Sequence, residues 1–252
     1  MKRLFVILII LLLFPIGAIG ASNVTIDSVV DNADCAVTVY FENPLGGDTT
    51  FIAFHENYEL SGSSVVIGQT PKNQTSYTFL DLAPGEMYTI YAMNEMDIDS
   101  ADSFDYTVRS VPEYDSKSIR LFDVNLCYFR PDSVQGDYGY NYAHDLSAQK
   151  VQSMLNEQMF MIKVDFRHSI YSSDFEQRLL TVIKSPTGHV ATNATNVTIY
   201  KNCNGFWQTT MYMNNAFGEM LETNGSIPSG RYEVEIYLEG MLLGTDSFTI
   251  KE

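Results

Sequence analysis

Hydrophobic and polar positions alternate one for one along most of this chain. Cys35, Val37, Val39 and Phe41 alternate with Ala36, Thr38, Tyr40 and Glu42. A two-residue period puts one face of a strand in a core and the other in water. Asn43-Pro44-Leu45-Gly46-Gly47 then breaks the pattern as a turn. Thr49 to His55 and Ser64 to Gln69 read as the next strands. Tyr77, Phe79 and Leu82 lead into Ala83-Pro84-Gly85, Tyr88, Ile90 and Ala92 alternate again, and Phe104, Tyr106 and Val108 close the unit. Short strands with regular turn signals predict a β-sandwich.

A second unit follows the polar, proline-bearing stretch 111–116, which reads as a linker. Its strands are expected around Ile119 to Phe129, Met159 to His168, Arg178 to Ser185, Val197 to Lys201 and Phe206 to Met213. Tyr232, Val234, Ile236 and Leu238 alternate with Glu233, Glu235, Tyr237 and Glu239. Glu239-Gly240 turns the chain, and Met241 to Ile250 runs back as a hairpin. Ser147 to Gln158 departs from this rhythm. Val151, Met154 and Leu155 stand at helical spacing and predict a short helix, after a Tyr-rich loop over Arg130 to Asp145. The fold class expected is therefore all-β, two sandwiches in tandem, over 23–110 and 117–252.

The segment from Tyr77 to Ile90, which contains Leu82, Pro84, Gly85 and Tyr88, resembles the signature of fibronectin type III domains. In that family a Leu plugs the core before a Pro-Gly turn, and a following Tyr ties the corner to nearby backbone. The resemblance covers about 23–110. Phe41 stands where the family has an early core Trp. The closing hairpin Gly230-x-Tyr232-x-Val234, ending on Ser247-Phe248-Thr249-Ile250, is similar to the end of immunoglobulin-like domains of secreted bacterial proteins. The fibronectin type III resemblance implies a binding or spacer module and no chemistry.

The amino terminus sets the expected compartment. Lys2 and Arg3 precede an apolar run from Leu4 to Phe14, and Ala18-Ile19-Gly20-Ala21 offers small residues for cleavage. The run is shorter than the roughly 20 residues a membrane span needs. A signal peptide over 1–20, and a secreted mature chain without a membrane span, are expected. The formal net charge of −16, with only 15 Lys and Arg, argues against nucleic-acid binding.

Candidate sites are few. No nucleophile elbow or phosphate loop occurs, and His55, His144, His168 and His189 lack zinc-ligand spacing. Asp97, Asp99, Asp102 and Asp105 could offer oxygens to Ca²⁺ or could simply form a solvated acidic loop. Tyr138, Tyr140 and Tyr142, with Trp207 elsewhere in the second unit, are the candidate ligand contacts, because exposed rings stack on sugars or anchor interfaces. The alternative is that they cover their own domain. Of the three cysteines, Cys127 and Cys203 share a unit and are the one pair considered for a disulfide; otherwise they pack as small hydrophobes. Asn23, Asn73, Asn193, Asn196 and Asn224 open glycosylation sequons. The function expected is non-catalytic extracellular adhesion, with a surface protein or glycan as partner. A carbohydrate-processing protein is the rival, which a convergent carboxylate pair in a cleft would support. A spacer or assembly subunit predicts neither feature.

Overall fold

The computed structural model describes residues 24–32, 36–58, 65–94, 101–110, 119–130, 141–168, 171, 173–201, 203 and 205–252. The expected signal peptide, the 111–116 linker and Cys35 lie outside these residues.

The first unit consists of β1 (Thr25–Asp31), β2 (Val37–Glu42), β3 (Thr49–His55), β4 (Val65–Thr70), β5 (Ser76–Phe79), β6 (Met87–Asn94) and β7 (Asp102–Thr107). One sheet has the order β1-β2-β5 and the other β4-β3-β6-β7. Alternate residues of the two inner faces fill the space between them. Phe51 sits in that core with Phe41 edge-on at 5.0 Å and Tyr77 stacked at 4.9 Å. Tyr77 lies so close over β4 that a Cβ on Gly68 would strike its ring, so the strand requires glycine at that point. Phe41, expected in the place of a core Trp, is 1% exposed.

The corner before β6 forms as the resemblance implies. Leu82 is fully buried, Gly85 takes the left-handed conformation at φ 84°, and the Ala83 N–H donates to the Tyr88 hydroxyl at 3.0 Å.

The second unit contains β8 (Ile119–Phe129), β9 (Asn141–Tyr142), α1 (Ala148–Met154), β10 (Met159–His168), β11 (Phe175–Lys184), β12 (Val190–Ile199), β13 (Gly205–Tyr212), α2 (Asn214–Asn224), β14 (Gly230–Leu238) and β15 (Met241–Ile250). Its sheets run β13-β10-β8-β9 and β12-β11-β14-β15. Setting aside the two-residue β9, strands 1, 2 and 5 of each unit share one sheet, and the other reads 4-3-6-7. The two sandwiches are topological duplicates. The duplication extends to the corner. Tyr232, near the start of the sixth strand as Tyr88 is, is buried and donates its hydroxyl to the Pro228 carbonyl at 2.8 Å.

Removing either hydroxyl tests these corners. Tyr88→Phe strands a buried N–H and should cost about 1–3 kcal/mol. Tyr232→Phe strands a carbonyl, which tolerates under-satisfaction better, and should cost less. Urea melts of the two variants check the ranking.

α1 matches the expected helix. The Ser147 hydroxyl caps it by accepting from the Lys150 N–H at 3.3 Å, and Val151 is buried. α2 stands where the sequence pattern predicts no helix. It buries Ala216, Phe217 and Met220 on one side and stops at Gly225, which is left-handed at φ 73°. Asn214 ties it to its surroundings: Oδ1 accepts from the Phe160 N–H at 2.7 Å, and Nδ2 donates to the Leu155 and Gln158 carbonyls.

The two sandwiches are not beads on a string. On β11, Leu179 and Ile183 enter the core of the second sandwich. Leu180 and Val182, on the opposite face, join the core cluster of the first, together with Val190 and Tyr237. The apolar run Leu179-Leu180-Thr181-Val182-Ile183 is therefore that of a strand buried on both sides. An ionic relay borders this contact. Lys184 bonds Glu86 of the first unit at 2.7 Å and Glu235 of the second at 3.3 Å. The Tyr237 hydroxyl donates to Glu235 at 2.8 Å. His55 Nδ1 accepts from the Asn57 N–H at 3.1 Å, so Nε2 carries the proton and donates to Glu86 at 3.2 Å.

Burial alone would raise the Glu86 pKa, but the bond and charge of Lys184, with the His55 hydrogen bond, outweigh it and hold the carboxyl below its ordinary value. A depressed folded-state pKa contributes stability above the unfolded value, and that contribution is lost as pH falls through the folded one. Glu86→Gln should therefore lower the melting temperature at neutral pH, and the gap from wild type should close on acidification below the usual glutamate range. A thermal melt series across acid pH measures it.

Candidate binding face

Strand parity decides what the outer face of the β13-β10-β8-β9 sheet presents. Phe160, Ile162, Val164 and Phe166 of β10 point into the core. Met161, Lys163, Asp165 and Arg167 therefore point out. Their cross-strand partners build rows on that face. Met161 is opposite Cys127, which pairs with Tyr142 of β9. Lys163 lies between Asn125 and Thr209, and Asp165 between Asp123 and Trp207. The register slips after Asp165, which leaves Phe122 as a bulge residue.

Lys163 is the centre of the face. Its ammonium lies 5.9 Å from the Tyr142 ring centroid and 5.5 Å from that of Trp207. It also bonds both oxygens of Asp165, at 3.1 and 3.2 Å. Burial would lower the Lys163 pKa, but Asp165 raises it further, so the group stays an ammonium throughout the physiological range. The two rings flanking this cation are wet: Tyr142 is 50% exposed and Trp207 48%. Tyr142 also stacks on His144 at 5.3 Å. At the bulge, the Arg167 guanidinium covers exposed Phe122 at 4.7 Å. Aromatic rings held by cations keep their faces fixed and ready for a partner at low entropic cost.

Of the four candidate ligand residues, Tyr142 and Trp207, 65 positions apart in sequence, come together around one lysine. Tyr138 and Tyr140 lie outside the described residues. Lys163, Asp165, Phe122 and Arg167 were not singled out from the sequence. The polar positions of β10 held the signal, since they fall on the same face as Trp207.

Asp123 and Asp165 are cross-strand partners and form a carboxylate pair, the feature a carbohydrate-processing site needs. Both are engaged on an open sheet surface, Asp165 by Lys163 and Asp123 by the Asn125 amide at 2.7 Å.

The considered disulfide does not form. Cys127 and Cys203 are both free thiols, one buried beside Met161 on β8 and the other exposed between β12 and β13. Burial, with the charges of Asp165 and Asp123, pushes the Cys127 thiol up to about 11, which makes it unreactive. The acidic group does not converge either, as far as it is described. Asp102 and Asp105 are three residues apart on β7 and so leave opposite faces. Asp102 accepts from the Ile26 N–H at 2.7 Å, and Asp105 accepts from the Thr89 hydroxyl at 2.7 Å. Asp97 and Asp99 lie outside the described residues. Among the described residues no three metal-capable side chains gather.

No family model matches the chain, and no curated protein matches it. Among solved structures, a two-domain fibronectin type III segment of chicken tenascin is similar at 11% identity, over 89% of this chain and 97% of that one, with a TM-score of 0.27. The FN1–FN3 domains of chicken CNTN1 are similar at 9% identity, over 92% of this chain and 69% of that one, with a TM-score of 0.23. The strand order and the tyrosine corner carry the fold. It is a tandem of two β-sandwiches with one strand order. The second sandwich, expected as immunoglobulin-like, repeats the order of the first and adds α1, α2 and β9 to it. In this tandem, one outer sheet face of the second sandwich is taken up by the first, and the other carries the aromatic–lysine cluster. No described helix is long and apolar enough to cross a membrane.

Proposed function

We propose that this tandem is a secreted, non-catalytic binding module that captures a cell-surface protein or glycan on the outer β13-β10-β8-β9 face. The observation that carries this reading is the placement of Tyr142 and Trp207 on either side of Lys163, half-exposed and held by the same cation. Aromatic and cationic groups of this kind dominate the energy of protein and glycan interfaces. The Asp123–Asp165 pair favours binding over hydrolysis, because a glycosidase needs its carboxylates free across a cleft and these two are tied on an open surface.

A glycan array combined with pull-down from native cell surfaces tests the proposal. Wild-type protein is expected to retain a saturable ligand. Trp207→Ala and Tyr142→Ala should each weaken it by about tenfold or more, with thermal stability nearly unchanged because both rings are half-exposed. Retention of full binding by both variants contradicts the proposal.

A further inference from the structure

A cleft of about 560 Å³ runs between the two sandwiches, along the β12 and β13 edge of the second, next to the aromatic face. The first sandwich contributes Ile67 of β4 and Asp81; the second contributes Asn193 of β12, Thr210 and Tyr212 of β13, and Glu219 of α2. Its chemistry is one-sided. Among the described residues no Lys, Arg or His lines it, while two carboxylates do; one of them, Glu219, also lies 3.7 Å from the buried His189 Nε2 behind the wall. Asp81 is half-buried and makes no ion pair among the described residues. Thr210 is the extra residue of a β-bulge, since Thr209 pairs with Lys163 and Met211 with Ile162. Its carbonyl accepts from the Asn193 amide at 2.5 Å. Its hydroxyl is buried in a residue only 1% exposed and has no hydrogen-bond partner among the described residues. A buried, unpaired hydroxyl in a cleft whose Asp81 carboxylate has no counter-charge is costly unless something completes the site.

We propose that this cleft is a second binding site, which accepts an alkylammonium group such as a lysine side chain of a partner or a free aliphatic amine. An ammonium offers three donors, and here it meets Asp81, Glu219 and the side-chain oxygens of the β12 and β13 wall. The exposed rims of Ile67 and Tyr212 flank the alkyl stem. A neutral polyol could bond the threonines but would leave the Asp81 charge uncompensated, and an anion would be repelled by both carboxylates. Burial raises the Asp81 pKa, consistent with a carboxylate that lacks a counter-charge. A raised folded-state pKa penalises the fold above the unfolded value, so Asp81→Asn should fold at neutral pH at least as stably as wild type.

The test is an amide-resonance titration of the full chain with two probes, butylamine and Nα-acetyl-lysine amide, and with the Nε-acetylated form of the latter as the uncharged control. Saturable shifts confined to Ile67, Asn193, Thr210 and Tyr212 are expected. Asp81→Asn should weaken them by about tenfold, the scale of one charge-assisted hydrogen bond. Binding of both probes marks free amines as ligands, and binding of the lysine derivative alone marks a protein side chain; each supports the site. Absence of saturable shifts with either probe overturns the proposal. So does equal binding of the acetylated control, as a neutral polar ligand would give, or undiminished binding by a folded Asp81→Asn variant. None of these outcomes depends on Trp207, Tyr142 or Lys163, which do not line the cleft.

Discussion

Val182→Asp separates the two sandwiches. Val182 is fully buried and belongs to the apolar cluster that the β12-β11-β14-β15 sheet shares with the first sandwich. A carboxylate there has Leu180, Val190 and Tyr237 around it. Burying it uncompensated costs on the order of 4 kcal/mol, so the contact opens in preference. Within the second sandwich the damage is small, because the inward residues of β11 are Leu179 and Ile183. Two readouts follow. Wild type should unfold in one calorimetric transition, and the variant in two. The radius of gyration from small-angle scattering should rise in the variant as the units swing apart. An exposed control, Tyr200→Asp, should change neither. A variant with one transition and an unchanged radius would show that the shared cluster does not fix the tandem.

Phe41→Ala is expected to unfold the first sandwich. Its ring is almost fully buried on β2 and sits edge-on to Phe51, which in turn holds Tyr77 and Phe79. Truncation of a buried Phe costs about 3–5 kcal/mol, a large share of the stability of a domain this size. The effect spreads, since loss of the first sandwich uncovers Leu180 and Val182 on the second. Binding of a dye that reports exposed apolar surface should therefore rise at the same urea concentration that unfolds the first unit. Phe41→Trp supplies the residue that the family resemblance places there, yet it should also destabilise, by about 1–3 kcal/mol. The Phe41–Phe51–Phe79 cluster already fills the volume a Trp would take. Equilibrium urea melts distinguish these outcomes, and a Phe41→Ala protein with wild-type stability would contradict the core described above.

Much of this was legible in the sequence because two-residue alternation is a direct consequence of strand geometry. The strands around Val39, Ile90 and Ile236 could be read in that way, and the Leu82-to-Tyr88 corner could be read from residue types that only one local conformation satisfies. The corner at Tyr232 is less legible because its turn, Pro228-Ser229-Gly230, spaces the same residue types differently. β11 was legible as a strand, but its second apolar face points to another unit, and no local pattern says which. α2 was hidden by composition: Gly218 and three asparagines in eleven residues depress helix propensity, and the helix forms because Phe217 and Met220 find a core. The acidic group misled by proximity in sequence. Asp102 and Asp105 look adjacent in a loop, but they are on a strand, where a spacing of three sends side chains apart. The aromatic site was half legible. Ring exposure could be guessed, whereas the lysine that organises Tyr142 and Trp207 is on a third strand and required the register to be known.

Trp207 is the sole tryptophan of the chain, so its fluorescence reports on the proposed ligand face alone. Titration of the protein with whichever glycan or surface protein the capture experiment returns should shift Trp207 emission to the blue and shield it from acrylamide, with a midpoint equal to the binding constant measured independently. Saturating ligand that leaves both the emission and the quenching of Trp207 unchanged would mean that recognition happens elsewhere on the tandem.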